Sequence, residues 1–513
     1  MGKKLKFREK IALHPIMTFV ILIILTVCLS GILGYFDVGT TYREVNPTTQ
    51  QYTDVEVKVD SLFNLAGMKY IFSNTVSNFV SFAPLSLLLI ILMGIGIMDR
   101  SGFMQAFLTL ITKYSNKYRV TFILILFSII ATIAGDVMCV IMIPLGALLF
   151  KYGKRNPTAG IISAFAGITC GMGANVFLNS IDSSLLTFTK SAASILDTTY
   201  TINIYGFIFI MAAAVIGLSV ALTFITEKFV IPRLEKHEID TDIEEYTVGR
   251  RELRGLIISL GAGILYLLFF TYNVIPGLPL SGNLLDPNQG LYIDKLFGYN
   301  SFFSSGFIFV ATLLFVILGL SYGISTKKVK NNKEFSDFLG HSLDKVGRII
   351  VLILFASAFI GVFKRTYMGN VFSGLLNNLL MSPDLSSLML IVILFFVSFL
   401  STIFLPATVL RWSLLSGTVV PIFMNAGLSP EFAQLIFRAG ESVSLGLTPM
   451  FAYFVIYLGF LSQYNNSEKN TTIFQAIRYM LPYSIATFVV WATIILIWYL
   501  IGIPLGFATT PFL

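Results

Sequence analysis

Apolar runs of about 20 residues, the length a helix needs to cross a bilayer, recur along the whole chain with short polar connections between them. They predict helices over 15–34, 81–98, 158–199, 204–226, 254–272, 302–322, 347–363, 430–461 and 477–500. Two further runs do not fit a single crossing. The run over 120–150 follows Arg119 and ends at Lys151, Lys154 and Arg155, so both of its ends face one side. With a break near Gly135 and Asp136, each arm has about 15 residues against the roughly 20 a crossing requires, which predicts a re-entrant hairpin. The run over 385–424 is interrupted around Ser401, Thr402, Pro406 and Thr408 and reads the same way, entering from the opposite face. The expected fold is an all-α polytopic membrane protein with about nine transmembrane helices plus two opposed re-entrant hairpins.

The hairpins belong to a repeat. When Pro157 is set against Pro430, Ala166 and Gly167 fall on Ala439 and Gly440, Gly173 falls on Gly446, and Asn175 falls on Thr448. Each helix that follows a hairpin carries a glycine- and hydroxyl-rich patch, GITCGMGAN at 167–175 and GESVSLGLTP at 440–449, which is poor material for a continuous helix. An inverted repeat with interrupted helices is therefore expected, its units 119–199 and 385–463 lying within one transmembrane domain over 1–513. Unwound backbone at membrane depth is tolerated only where protein or a water-filled cavity surrounds it, so the patches and the hairpin tips are expected to converge on one site.

Composition excludes other classes. Only 12% of the residues are charged, about half the share in a soluble domain, and no stretch is left for a separate soluble domain. The net charge of +8 sits in short loops, where it sets topology rather than marking a nucleic-acid surface. Lys3, Lys4, Lys6, Arg8 and Lys10 precede the first helix, which places the N-terminus in the cytoplasm. The charged linker over 227–254 falls inside and 425–429 outside, while Lys364 and Arg365 fall outside against the rule. Cys28, Cys139 and Cys170 lie in apolar runs, and the three histidines lie near span ends or in polar connections, so neither a disulfide framework nor a zinc site is expected. No phosphate loop points to an ATP motor, and no nucleophile, base or metal set points to an enzyme.

Charges inside apolar segments are the candidate chemistry. Asp136 lies at the first hairpin tip, Asp182 follows the first patch, Arg411 lies in the second hairpin, and Arg438 and Glu441 flank Gly440. Each costs about 3 kcal/mol at mid-membrane, so such a set implies a task or a partner. Arg438 and Glu441 also have the spacing of a structural ion pair on one helix face, and Asp182 that of a helix cap.

The stretches FNLAGMKYIFSNTVSNFVSFAPLSLLLIILMGIGIMDRSG at 63–102, ANVFLNSIDSSL at 174–185 and RWSLLSGTVVPIFMNAGLSPEFAQLIFRAGESVSLGLTPMFAYFVIYLGFLSQY at 411–464 resemble the p-aminobenzoyl-glutamate transporter family (AbgT). The similarity runs from the first helix to the last. It implies a homodimeric secondary transporter of the bacterial inner membrane, with nine spans and two opposed hairpins, that moves p-aminobenzoyl-glutamate or exports sulfonamide antimetabolites. Matched residue by residue, the family's functional positions fall on Trp412, Pro430, Arg438 and Asp182. Glu441 stands at an acidic position where the family has aspartate, Val409 where it has serine, Thr402 where it has asparagine, and Ser183 where it has the proline of an Asp-Pro pair.

The expected site joins Arg438, Trp412, Asn175, Pro430 and Thr448 for the substrate, with Asp182, Glu441 and Thr402 for coupling. A guanidinium fork suits a carboxylate, and the indole of Trp412 suits an aromatic ring or simple packing. Asp182 and Glu441 are candidates for a coupling proton, or for sodium together with Thr402, Asn175 and backbone carbonyls; the sequence leaves H+ and Na+ both open. The partners are then an aromatic carboxylate and membrane lipid, with no cofactor. A carrier of dicarboxylates or other small organic anions is the alternative reading.

Overall fold

The computed structural model describes residues 14–45, 51–177, 179–203, 205–234, 243, 246–298, 301–344, 346–381, 385–464 and 471–513. The basic N-terminal tail and most of 235–245 in the charged linker lie outside the described residues.

Helix α1 (Pro15–Tyr35) leads into an antiparallel ribbon of β1 (Gly39–Val45) and β2 (Tyr52–Lys58), which pair from Gly39 with Lys58 to Val45 with Tyr52. A bent apolar stretch follows as α2 (Leu65–Val80) and α3 (Ala83–Arg100), then α4 (Phe103–Lys113). The first unit comprises α5 (Lys117–Ala131), α6 (Cys139–Tyr152), α7 (Pro157–Gly171) and α8 (Ser180–Leu196). Between the units lie α9 (Ile208–Ile225), α10 (Arg250–Val274), α11 (Tyr292–Phe297), α12 (Phe302–Ser325), α13 (Asn332–His341), α14 (Gly347–Arg365) and α15 (Met368–Asn377). The second unit comprises α16 (Ser387–Phe404), α17 (Thr408–Asn425), α18 (Pro430–Ser444) and α19 (Phe454–Tyr464), and α20 (Ile473–Ile501) closes the fold.

Among the described residues, nine helices are long and apolar enough to cross a membrane, so the protein is a multi-pass helical membrane protein. The helices over 158–199 and 430–461 are each interrupted, as the glycine-rich patches predict, and form two shorter helices apiece. The assignment of the nine differs in detail from the sequence pattern, for it includes the first arm of each hairpin, Lys117–Ala134 and Ser387–Phe404. The helix expected over 81–98 extends back to Leu65, and its two pieces meet beside Ser81.

Both long runs fold back on themselves. Arg155, just past α6, donates to the Lys117 carbonyl at 3.2 Å and to Thr121 Oγ1 at 2.9 Å, so the two ends of the first hairpin meet. Ser387 Oγ donates to the Ala426 carbonyl at 3.1 Å and closes the second hairpin in the same way. The bases lie at opposite ends of α9. Arg155 pairs at 2.5 Å with Glu227, just beyond the C-terminus of α9. At its N-terminus Phe209 donates to the Leu505 carbonyl, in the C-terminal segment whose Pro511 carbonyl accepts from Ser429 beside the second base.

The helices α7 and α18 are built alike. Each has 15 residues and opens with proline at N1 behind a side-chain cap, Asn156 accepting from the Thr158 amide and Ser429 from the Phe432 amide. Aligned glycines bring each helix against the first arm of its own hairpin. A Cβ on Gly167 would lie 2.6 Å from Ser128 Cβ, and one on Gly440 would lie 2.5 Å from the Phe395 carbonyl oxygen. Past the breaks the contacts become reciprocal, for Gly173 packs on Arg438 and Ser442 of the second unit and Gly446 packs on Thr169 of the first. Thr169 and Ser442 are themselves aligned, which is what a two-fold relation between the units requires.

Candidate functional site

The breaks in α7–α8 and α18–α19 leave backbone groups that side chains take up in the same manner. Asn175 donates from Nδ2 to Thr132 Oγ1 at the first hairpin tip (3.0 Å) and accepts from the Phe177 amide (3.0 Å). Its counterpart Thr448 donates to the Ile403 carbonyl at the second tip (2.6 Å) and accepts from the Met450 amide (3.2 Å). Each therefore ties its break to its own hairpin. Asn179, not Asp182, is the N-cap of α8, its side chain accepting from the Asp182 amide at 2.8 Å, and this leaves the Asp182 carboxylate for another partner.

That partner is Arg438. Its Nε lies 3.1 Å from Asp182 Oδ1, its Nη1 donates to Glu441 Oε2 at 2.8 Å, and its Nη2 donates to the Met172 carbonyl in the first break. Glu441 also accepts from Thr408 Oγ1, and its Oε2 is 3.4 Å from Arg411 Nη2. Arg411 donates to Thr402 Oγ1 and to the Leu405 carbonyl, with its guanidinium 4.8 Å above the Phe437 ring. All four charged residues are buried. Two cations and two anions in contact make a neutral quartet, the arrangement that offsets the cost of removing charges from water. The quartet joins the first break, α8, the second hairpin tip and α18.

The structure brings together Arg438, Asp182, Glu441 and Thr402, with Asn175 beside them at the first tip. Thr448 serves the second tip. Pro430 opens α18 at the end remote from Arg438. Trp412 is fully buried, its indole donating to Thr189 Oγ1 (2.9 Å) and its ring 4.7 Å from Phe437, so in this conformation it packs inside the wall. Asp136 lies apart at the first tip, facing a different cavity.

Sequence reasoning missed Gln434 and Thr189, joined by a hydrogen bond of 2.6 Å, and the partner role of Thr408. Gln434 had a signal. It stands one helical turn before Arg438 in an otherwise apolar stretch and shares its face. Beside Arg438 lies a crevice lined by Asn175, Asp182, Gln434, Tyr205 and Met211, with about 30 Å³ of room. That holds a water and excludes an aromatic acid, so the site is closed in this conformation.

Paired hairpins, broken helices and a buried ionic quartet beside a water-sized crevice are the features of a membrane carrier. Residues 7–513 match the family described as "AbgT putative transporter family", and the chain belongs to that family of transporters. It is 29% identical over 493 residues to the p-aminobenzoyl-glutamate transport protein of Escherichia coli (strain K12), covering 96% of this chain and 93% of that one. Among solved structures it is similar to the Alcanivorax borkumensis YdaH transporter, with 26% identity, coverage of 96% of this chain and 100% of that chain, and a TM-score of 0.47. It is also similar to Neisseria gonorrhoeae MtrF, described as illuminating a class of antimetabolite efflux pumps, with 28% identity, coverage of 99% of each chain and a TM-score of 0.48.

Proposed function

We propose that this transporter carries p-aminobenzoyl-glutamate or a closely related aromatic carboxylate, driven by a proton or sodium gradient, as a homodimer in the bacterial inner membrane with its N-terminus in the cytoplasm. The observation that carries the reading is Arg438, a buried guanidinium shared by Asp182, Glu441 and a broken-helix carbonyl at the junction of the two units. A carboxylate cargo that competes for this fork displaces an internal anion, and the displaced charge needs a cation. Asp182 is the acid in position to receive it, since it lines the crevice that Glu441 does not reach. The sequence likeness to the Escherichia coli protein supports the cargo.

Uptake into proteoliposomes, comparing p-aminobenzoyl-glutamate with succinate under sodium and proton gradients applied separately, tests the proposal. The aromatic acid is expected to accumulate with one gradient and without ATP. Preference for succinate, or uptake indifferent to both gradients, would sink it. Asp182→Asn is expected to abolish coupled uptake with either cation, because an amide neither titrates nor supplies a full negative charge. Wild-type, gradient-dependent uptake by that variant would move the coupling site elsewhere.

A further inference from the structure

The crevice at Arg438 is too small for an aromatic acid, yet a cavity of about 680 Å³ lies on the other side of the second hairpin tip. Its size is that of pockets that hold small organic molecules, about 300–1,000 Å³. Both tips face it, the first through Asp136 and the second through Phe404, Leu405 and Ala407, and α2, α14 and α15 form the opposite wall. Phe82, Phe404 and Phe451 give it aromatic sides, and Lys364 at the end of α14 gives it a cation.

Lys364 and its neighbour Arg365 are the basic residues that the charge pattern placed on the wrong side of the membrane. Arg365 is accounted for by an ion pair with Asp60 at 2.9 Å. Among the described residues the Lys364 ammonium makes no ion pair or hydrogen bond, and it lines the cavity. Lys364 is exposed in the last turn of α14, so its ammonium is free to meet an anion that enters the cavity.

We propose that this cavity is a second cargo pocket, in which Lys364 anchors the carboxylate of an aromatic acid and Asp136 accepts from a hydrogen-bond donor at its far end. The partition to the Arg438 cluster is the hairpin tip itself. Leu405 lines the cavity and gives its carbonyl to Arg411, and Thr408, just past the lining residue Ala407, donates to Glu441. A cargo seated against the tip therefore presses on the segment that fastens the ionic quartet. The inference rests on the chain being a carrier of aromatic carboxylates, and it adds where the cargo waits.

The test uses the full-length protein in nanodiscs with its native cysteines replaced and a single Asn370→Cys on the cavity wall, or Ser81→Cys if the first variant does not fold. The rate of labelling by a hydrophilic maleimide is measured with p-aminobenzoyl-glutamate present and absent. The ligand is expected to protect the cysteine, and Lys364→Gln to raise the half-protecting concentration about tenfold or more, with Lys364→Arg retaining protection. Protection is expected to persist in Arg438→Lys, which disables only the inner site. No labelling without ligand, no protection, protection unaffected by Lys364→Gln, or protection by phosphatidylglycerol in place of the acid would each overturn the pocket. Parallel uptake by the wild type separates the two levels: no uptake of any aromatic carboxylate rejects the carrier reading, whereas uptake without protection rejects only the second pocket.

Discussion

At the residue scale, Glu441 carries the most constraint, since Arg438, Arg411 and Thr408 all converge on it and none of them is exposed. Removing one partner from a buried ionic set leaves charge uncompensated, at about 3–5 kcal/mol. Arg438→Ala is therefore expected to lower the melting temperature in detergent as well as to abolish uptake. Arg438→Lys keeps the charge but cannot reach Asp182, Glu441 and Met172 together, so it should keep most of the stability and lose uptake by tenfold or more, on the order seen when a planar fork is replaced by a point charge. Normal uptake by a well-folded Arg438→Lys would reject the anchoring role. Of the quartet, each member is visible in the sequence as a charge inside an apolar run. Its connectivity is not, because Asp182, Arg411 and Arg438 lie on three separate helices that only tertiary packing brings together. Trp412 shows the opposite limit, for an aromatic at a functional spacing can equally be a wall residue, and here its indole is spent on Thr189.

At the scale of elements, the breaks and hairpins are legible because glycine, proline and polar residues interrupt apolar runs, and the two units repeat the interruption in register. The extent of each break is harder to read, since the eight residues between α7 and α8 and the nine between α18 and α19 include Met172, Phe177, Met450 and Phe451 and look continuous in hydropathy. The β1–β2 ribbon leaves no mark in the apolar pattern, because it lies in a polar connection, although Thr40, Tyr42 and Val45 are buried and Tyr42 packs on Leu405 and Leu414 of the second hairpin. At the first hairpin tip the turn depends on Gly135, whose φ of +80° and ψ of −160° only glycine adopts without strain. Nothing lies within 4 Å of a Cβ built there, so the cost of Gly135→Ala is conformational, about 1–3 kcal/mol. Thermal melts should show that loss, and a neutral substitution would mean that the tip is free to rearrange.

Across the whole molecule, the two units share backbone architecture and differ in what fills it. Arg438 and Glu441 align with Phe165 and Ile168, and Phe165 stacks on Tyr457 at 4.2 Å. One half of the two-fold is thus an apolar contact and the other an ionic cluster, so a symmetric scaffold carries an asymmetric interior. Because the closed site admits only water, cargo is expected to enter or leave by a shift of the units against the remaining helices. The contact between α14 and α19 reports on that shift. A Cβ on Gly459 would lie 3.4 Å from Ile349 Cβ, close to the lower limit of about 3.5 Å for disulfides, and the two atoms nearest to it are Ile349 side-chain carbons that cysteine would replace. The double variant Ile349→Cys, Gly459→Cys, with the native cysteines removed, should therefore form a disulfide on oxidation. Oxidation is expected to arrest uptake in proteoliposomes and reduction to restore it, while each single cysteine transports under both conditions. If the cross-linked protein turns over at the rate of the reduced one, the second unit does not move against α14, and opening of the site must come from the hairpin tip alone.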